Sequence, residues 1–497
     1  MYRRMNNNDK DTQDKLNNKK SNEMNDKTNT CLNSKGYCLF IFRRDLRCYD
    51  NRGLIQAMKD YGNVIPIFIY TPEQVSTKNA YRSENAIEFM TESLYDLERE
   101  LKKYGSDLHL FHGDNVSVLR KIMSTIKVCA VVWNEDYTPY AQKRDKAIES
   151  LCKSKKIDCV KVEDYLLAPV GTFLKSNEDP YTIFTPFRNN VLTLEKYIDK
   201  PSETSMFKTK LKKVRFSSNF TDLKKIPLFN NQDKLVNGGR KNGLTCLARL
   251  PKQRNYNKTR SDLSLPTSQL SAYIKFGCLS IREVYWRMRK LFPKSNDILS
   301  QLIWREFYFY IGYYFPKVLK GKNFQTKWKT FKWRKSEKEF RAWCEGRTGF
   351  PIIDAGMREL NTTGYMHNRA RLITSNFLNR ILGQDWRRGE KYFASQLTDY
   401  DPLVNNGNWQ WIASTGTDTS PYSQRLFNPW LQGERYDPDC KYIKKWIPEL
   451  KNVERIDIHH WDDCGMLEKY KEVDYPAPIV DYSERRQDSL KMYRDAL

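Results

Sequence analysis

The sequence predicts a two-part protein: an α/β domain with a doubly wound parallel sheet over residues 36–165, followed by an all-helical domain over residues 241–480. Three observations carry this. Short apolar runs alternate strictly with segments of helical spacing up to about residue 165, which is the signature of strand–helix–strand units. Beyond residue 240 the strand signal vanishes and apolar residues recur at three- and four-residue intervals. Finally, a chain of 497 residues is too long for one core.

Taken in order, residues 1–35 hold almost no apolar side chains and cannot offset the entropy of ordering, so they read as a disordered tail. The runs YCLFIF (37–42), VIPIFIY (64–70), DLHLF (107–111) and VCAVVW (128–133) read as buried strands, and 51–61, 84–104 and 115–126 as helices. After the first strand comes FRRDLRCYDNRGL, which lacks the GxGxxG phosphate turn of dinucleotide-binding folds. Residues 166–240 are irregular and lysine-rich, the length of an interdomain linker, with DPYTIFTPF (179–187) as the one conspicuous island. Three long segments, LSAYIKFGCLSIREVYWRMRKLF, ILSQLIWREFYFYIGYYF and MREL…GYMHNRARLITSNFLNRIL, then carry helical periodicity, and residues 481–497 form a short C-terminal segment. Eleven of the twelve tryptophans lie in the second half, all except Trp133.

Composition narrows the function. Formal net charge is +25, from 85 Lys and Arg against 60 Asp and Glu, which favours a polyanionic partner such as nucleic acid. The eleven cysteines are scattered without a CxxC pair, and neither a secretory signal nor a long uncharged apolar run is present. An intracellular, reducing compartment is expected, the cytoplasm of a prokaryote or the nucleus of a eukaryote, with no membrane partner. With only five histidines, His109, His112, His367, His459 and His460, no metal site is expected and histidine triads have little to draw on.

Several segments can carry chemistry. Gln301, Trp304 and Tyr308 stand at i, i+3 and i+7 and share one helix face; packing alone accounts for a lone tryptophan, but this face also carries an amide. GYMHNRAR sets Asn368 and Leu372 one turn apart, with Arg369 and Arg371 on different faces, so one arginine can meet phosphate while the other pairs inward. Asp399 and Asp401 are an acid/base pair, a cation site or salt-bridge partners of Arg371, the last being favoured because no further acids or histidines stand nearby. Thr267 to Ser271 (TSQLS) offer hydroxyls and N–H groups at a helix start, an anion-binding arrangement. In NNGNWQWIASTGTD (405–418), two tryptophans two apart stand among small hydrogen-bonding residues, a composition that core packing does not require.

Together these motifs resemble the photolyase and cryptochrome flavoproteins, most closely the class I photolyases of cyclobutane pyrimidine dimers. FRRDLRCYDN, FTPF (184–187), TSQLS…FGCLS (267–280), LIWREFY (302–308), EGRTGFPIIDAGMREL (345–360), GYMHNRAR (364–371) and NNGNWQWIASTGTD match in order, over about residues 37–480. The resemblance implies an N-terminal domain able to hold an antenna chromophore, methenyltetrahydrofolate or a deazaflavin, near WNEDYTPY (133–140), and a helical domain that buries FAD. It implies flavin contacts from Tyr256, Thr267, Ser268, Gln269, Leu270 and Ser271, an Arg371–Asp399 salt bridge against the ring system, Asp401 at the flavin and Asn405 facing its N5. Trp409, Trp386 and Trp333 are implied as an electron relay to the surface. On the substrate side, Trp304 and Trp411 resemble the two walls that receive a flipped-out dimer, with Gln301, Asn368, Arg369, Arg260 and Gln432 contacting lesion or phosphate.

The departures are informative. Asn405 is the photolyase choice, where plant-type cryptochromes carry Asp and insect ones Cys. Asn368 and Leu372 stand where repair of (6-4) photoproducts needs a histidine pair, which disfavours that activity. Gln301 replaces a glutamate and Leu372 a methionine of the dimer-specific group; an amide hydrogen-bonds thymine carbonyls but supplies no carboxylic proton, so binding is expected to persist with a reduced quantum yield. The expected activity is light-driven repair of UV-damaged DNA by a monomer. A blue-light sensor of cryptochrome type is the alternative, and a single-strand-binding protein without flavin is a third reading.

Overall fold

The computed structural model describes residues 36–496 apart from 203–209, 215, 217–228, 329–330, 418–420 and 464–467. The tail expected over residues 1–35 lies outside the described residues. The first domain is a five-stranded sheet in the order β3-β2-β1-β4-β5. Its strands are β1 (Tyr37–Phe42), β2 (Val64–Tyr70), β3 (His109–His112), β4 (Val128–Asn134) and β5 (Asp158–Val162), and every pairing is parallel. Helices α1 (Arg52–Tyr61), α2 (Glu84–Lys103), α3 (Asn115–Thr125) and α4 (Pro139–Lys155) make the crossovers.

β1, β2 and β4 read clearly in the sequence because both their faces are covered, so nearly every residue is apolar. Pro66 is tolerated in β2 because β3 pairs only from Ile67 onward, leaving no ladder bond on that side for the missing N–H. The third strand starts two residues later than the pattern DLHLF predicts. The fifth strand, DCVKV, and helix α4 were not anticipated: β5 is an edge strand whose residues are half-buried or exposed, so the apolar signal is diluted.

The interval 166–240, expected to be irregular, contains helix α5 (Phe184–Thr193), and Leu211 bridges to Val64 beside the sheet. Beyond it the described residues form helices and turns. The main helices are α6 (Ile281–Leu291), α7 (Asp297–Tyr314), α8 (Pro351–Thr363), α9 (Asn368–Asn376), α10 (Trp386–Gln396), α11 (Pro402–Ile412), α12 (Pro429–Tyr436) and, in the C-terminal segment, α13 (Tyr482–Asp495).

The two domains are clasped by motifs at the start of each. Gly277, at φ 65°, lies so close to the Arg44–Asp45 backbone that a side chain there would collide with it, and Leu46 N donates to Phe276 O at 3.0 Å. Beside this contact a buried network joins Arg47 to Asp164 at 2.7 Å, and Arg282 to Asp164 at 2.7 Å and to Asp50 at 3.0 Å. Burial pushes the Asp164 carboxyl up, but Arg47 and Arg282 outweigh it and hold it down at about 2. FRRDLRCYDN thus serves as an interdomain contact where another fold would place a phosphate turn.

Candidate active site

Helices α7 and α11 form the floor of the site. A methyl on Gly312 would collide with Leu403, and one on Gly407 would collide with Tyr308, so the helices run antiparallel and nearly touch. Carried one further turn, the same register leads to Trp304 on α7 and Trp411 on α11, both half-buried. Gln301, one turn before Trp304, donates to Asp297 O of its own helix at 3.2 Å; among the described residues its carbonyl accepts nothing.

Helix α9 supplies the next groups. Arg371 places Nη2 at 3.0 and 2.9 Å from the two carboxylate oxygens of Asp399 and donates from Nε to Met366 O at 2.9 Å. Asn405 donates to both the main-chain and side-chain oxygens of Glu390, at 3.1 and 3.0 Å. Glu390 is buried on α10, and burial pushes its carboxyl up to about 7 although Asn405, Tyr400 and Tyr81 all hydrogen-bond to it. Asp401 caps α11 through Leu403 N and Val404 N, at 3.0 and 3.2 Å, and ion-pairs with Arg44 of the first domain. Its carboxylate is therefore engaged in capping and in the domain clasp.

The 267–271 turn has Gln269 in the left-handed region at φ 54°, buried Leu270 turned into the core, and the Ser271 hydroxyl 2.7 Å from that of Tyr365. Thr267 and Ser268 are half-buried, and among the described residues their hydroxyls meet no protein partner. Tyr256 is half-buried on a short helix, its phenol pushed up to about 12 by burial.

Toward solvent, Arg260 pairs with Asp297 at 3.4 Å, and Asn368 stands exposed as the first residue of α9. Arg369 lies 4.3 Å over the Tyr436 ring and donates to Ser261 Oγ at 2.9 Å. Among the described residues, Arg369 Nε, Gln432 Oε1 and His367 Nε2 are buried polar atoms of this group with no hydrogen-bond partner. His367 accepts from Arg369 N through Nδ1, so its free Nε2 carries the proton; burial, then Arg369 and Arg371, push it down to about 4, which keeps it neutral. Such atoms are open to a hydrogen bond from water or a ligand.

Residues 38–205 match the DNA photolyase family, and residues 298–495 match the FAD binding domain of DNA photolyase. A deoxyribodipyrimidine photo-lyase of Halobacterium salinarum is 34% identical over 486 residues, covering 92% of this chain and 99% of that protein. The chain belongs to the DNA photolyase family. Among solved structures it is similar to an archaeal photolyase from Sulfolobus tokodaii with two FAD molecules (TM-score 0.82, 38% identity, 92% of this chain and 100% of that one). A cryptochrome from Synechocystis superposes equally well, with a TM-score of 0.82 over 92% of this chain and 99% of that one, at 26% identity.

The residues present fit the FAD of this photolyase family. The Arg371–Asp399 pair, the Asn405 amide and the free hydroxyls of Thr267 and Ser268 form a donor-rich set suited to phosphates and a polar ring edge. At the carboxyl ends of the strands, where open α/β sheets bind ligands, Arg43 Nε and Nη2 and Arg144 Nη2 are also buried without partners, beside Tyr140.

The three tryptophans expected to form a relay are placed as follows. Trp409 is buried against Gly389, where any side chain would strike its ring, and Trp386 starts the same helix one turn earlier. Half-buried Trp333 precedes Arg334, whose N–H donates to Gly383 O at 2.9 Å, three residues before Trp386. Sequence reasoning missed Trp343, edge-on to Trp409 at 6.2 Å, as well as Glu390, Tyr365, Arg43 and Arg44. Glu390 carried no local signal, because its partner Asn405 is fifteen residues away.

Proposed function

We propose that the protein is a deoxyribodipyrimidine photo-lyase that repairs cyclobutane pyrimidine dimers in UV-damaged DNA under blue light. The observation that carries this reading is the α7–α11 register, which leads to Trp304 and Trp411 at one end of the seam. A flipped-out dimer stacks between the two indoles, since apolar walls favour a lesion already partly unstacked. Asn368 and the free carbonyl of Gln301 meet the pyrimidine edges, while Arg369, Arg260 and Gln432 hold the flanking backbone, so affinity falls with salt. Reduced FAD, held by these residues, would supply on excitation the electron that splits the two cross-links and would recover it afterwards, so that no net redox change results.

Within this reading, Tyr256 and the 267–271 turn hold the flavin phosphates and ribityl chain, and Arg371 with Asp399 lies against its ring. The Asn405 amide, oriented by Glu390, faces N5, and Trp409, Trp386 and Trp333 carry electrons inward from the surface. Gln301 holds the lesion without a carboxylic proton, which lowers the quantum yield and leaves binding intact. A second, light-harvesting chromophore sits beside Arg43 and Arg144, a reading supported by Arg43 Nε and Nη2 and Arg144 Nη2, which are buried and meet no acceptor among the described residues. The protein works as a monomer in the compartment that holds the DNA.

Illumination of the purified, reduced holoprotein with a dimer-containing oligonucleotide tests the activity: blue light restores intact thymines. A flavin-loaded protein that restores none is a photoreceptor instead. Trp411→Ala tests the wall. It weakens lesion affinity by about 1–3 kcal/mol, the worth of one base–aromatic stack, with flavin content unchanged; equal affinity in variant and parent removes Trp411 from the site.

A further inference from the structure

We propose that Phe184 is a positioning residue for the lesion pocket: it fixes the plane of Trp304 from behind, so that the wall is already set before DNA arrives. Phe184 and Trp304 stack face to face, ring centroids 3.6 Å apart and planes 6° from parallel. One face of the indole is thus covered, and a base can stack only on what remains. The plate is itself rigid. Phe187, one turn along α5 on the same side, is fully buried and packs against Phe307 at 5.4 Å and Tyr310 at 5.2 Å of α7. Arg188 ties the same helix to α7 through Nε to Ser300 Oγ at 2.8 Å. Phe184 also meets Phe307 edge-on at 5.9 Å, so its ring is held on a second side.

The conspicuous island of the lysine-rich interval therefore reaches into the helical domain and buttresses one residue of the site. Tyr308 adds a tilted contact to the indole at 5.5 Å from within α7, but only Phe184 lies flat on it. Ordering a free aromatic side chain costs affinity at the moment of binding, and a ring held in advance avoids that cost.

The proposal rests on reading Trp304 as a lesion wall, and the experiment separates the two. The dissociation constants of the holoprotein for dimer-containing and for undamaged duplex are measured at one salt concentration, together with flavin content, for Phe184→Ala, Phe184→Leu, Phe184→Tyr and Trp304→Ala. Phe184→Ala is expected to weaken dimer binding about two- to tenfold, with undamaged binding and flavin content as in the parent. Phe184→Leu, which keeps bulk and loses the plane, behaves like alanine, whereas Phe184→Tyr restores parental affinity. If Trp304→Ala weakens dimer binding and Phe184→Ala does not, the positioning role is wrong and the wall stands. If leucine matches the parent, or if undamaged binding and flavin content fall in step with dimer binding, Phe184 is only structural and the proposal fails. If Trp304→Ala itself binds dimers normally, the wall reading falls, and this role with it.

Discussion

At the scale of single residues, the site is organised by a few buried charges whose partners are fixed. Arg371 is half-buried, and its guanidinium stays charged because Asp399 outweighs the cost of burial. Arg371→Ala leaves the Asp399 carboxylate, with 5% of its side chain exposed, without its cation, which costs about 3–5 kcal/mol. The expected outcome is protein that elutes from gel filtration with a sharply reduced flavin-to-protein absorbance ratio. Glu390 gives a pH signature. Its carboxyl ionises near 7 in the fold against 4.5 when unfolded, so it binds its proton more tightly in the native state. Its contribution to stability is complete below 4.5 and is lost as pH rises through about 7. Glu390→Gln lacks this loss, so its thermal midpoint should gain on the parent's across that window, by the equivalent of a few kcal/mol at most, about 1.4 kcal/mol per pKa unit. Midpoint curves that run parallel through the window refute the assignment.

At the scale of elements, the α7–α11 seam matters most, because its closeness depends on having no side chain at two positions. Gly407 lets Tyr308 lie directly against the α11 backbone. Gly407→Ala forces the helices apart and is expected to cost about 1–3 kcal/mol by overpacking. Because the wedge sits one turn below Trp304 and Trp411, it should lower lesion affinity as well as the melting temperature, with the flavin retained. A loss of stability with unchanged lesion affinity would disconnect the seam from the walls. The helix periodicity of LIWREFY was legible in the sequence, and so was the shared face of Gln301, Trp304 and Tyr308, whereas the helical state of NNGNWQWI was not read from its composition. The identity of the facing element was not, since roughly a hundred residues separate the two helices.

At the scale of the molecule, the two domains share a continuous apolar cluster, from Phe40 and Leu54 beside the sheet to Tyr285 and Phe307 of the helical domain, and buried charge joins them as well. Asp164 takes Arg47 from one side and Arg282 from the other, with all three side chains at most 2% exposed. Asp164→Ala leaves buried Arg47 without its carboxylate and Arg282 with Asp50 alone, and is expected to cost about 3–5 kcal/mol. Calorimetry should then resolve two unfolding transitions in place of one coupled transition; a single, merely shifted transition would show that the apolar contacts around Gly277 suffice. The +25 net charge acts at the same scale, since long-range attraction to a polyanion steers association and fades with ionic strength.

The sequence by itself determined the two-domain division, the central strands and the helical second half, because these depend on local apolar periodicity. It also carried the family through ordered motifs, and with it the residues from which the candidate site is built. Only the tertiary structure decided what those residues do to one another: that Asp401 caps a helix and pairs with Arg44, that Asn405 leans on Glu390, that the supposed linker sends Phe184 onto Trp304, and that weak, half-polar DCVKV completes the sheet. The physical reason is range. Periodicity and caps act within one or two helical turns, whereas burial, ion pairing and ring stacking depend on which distant segments the fold brings within a few ångströms, and no local pattern encodes that.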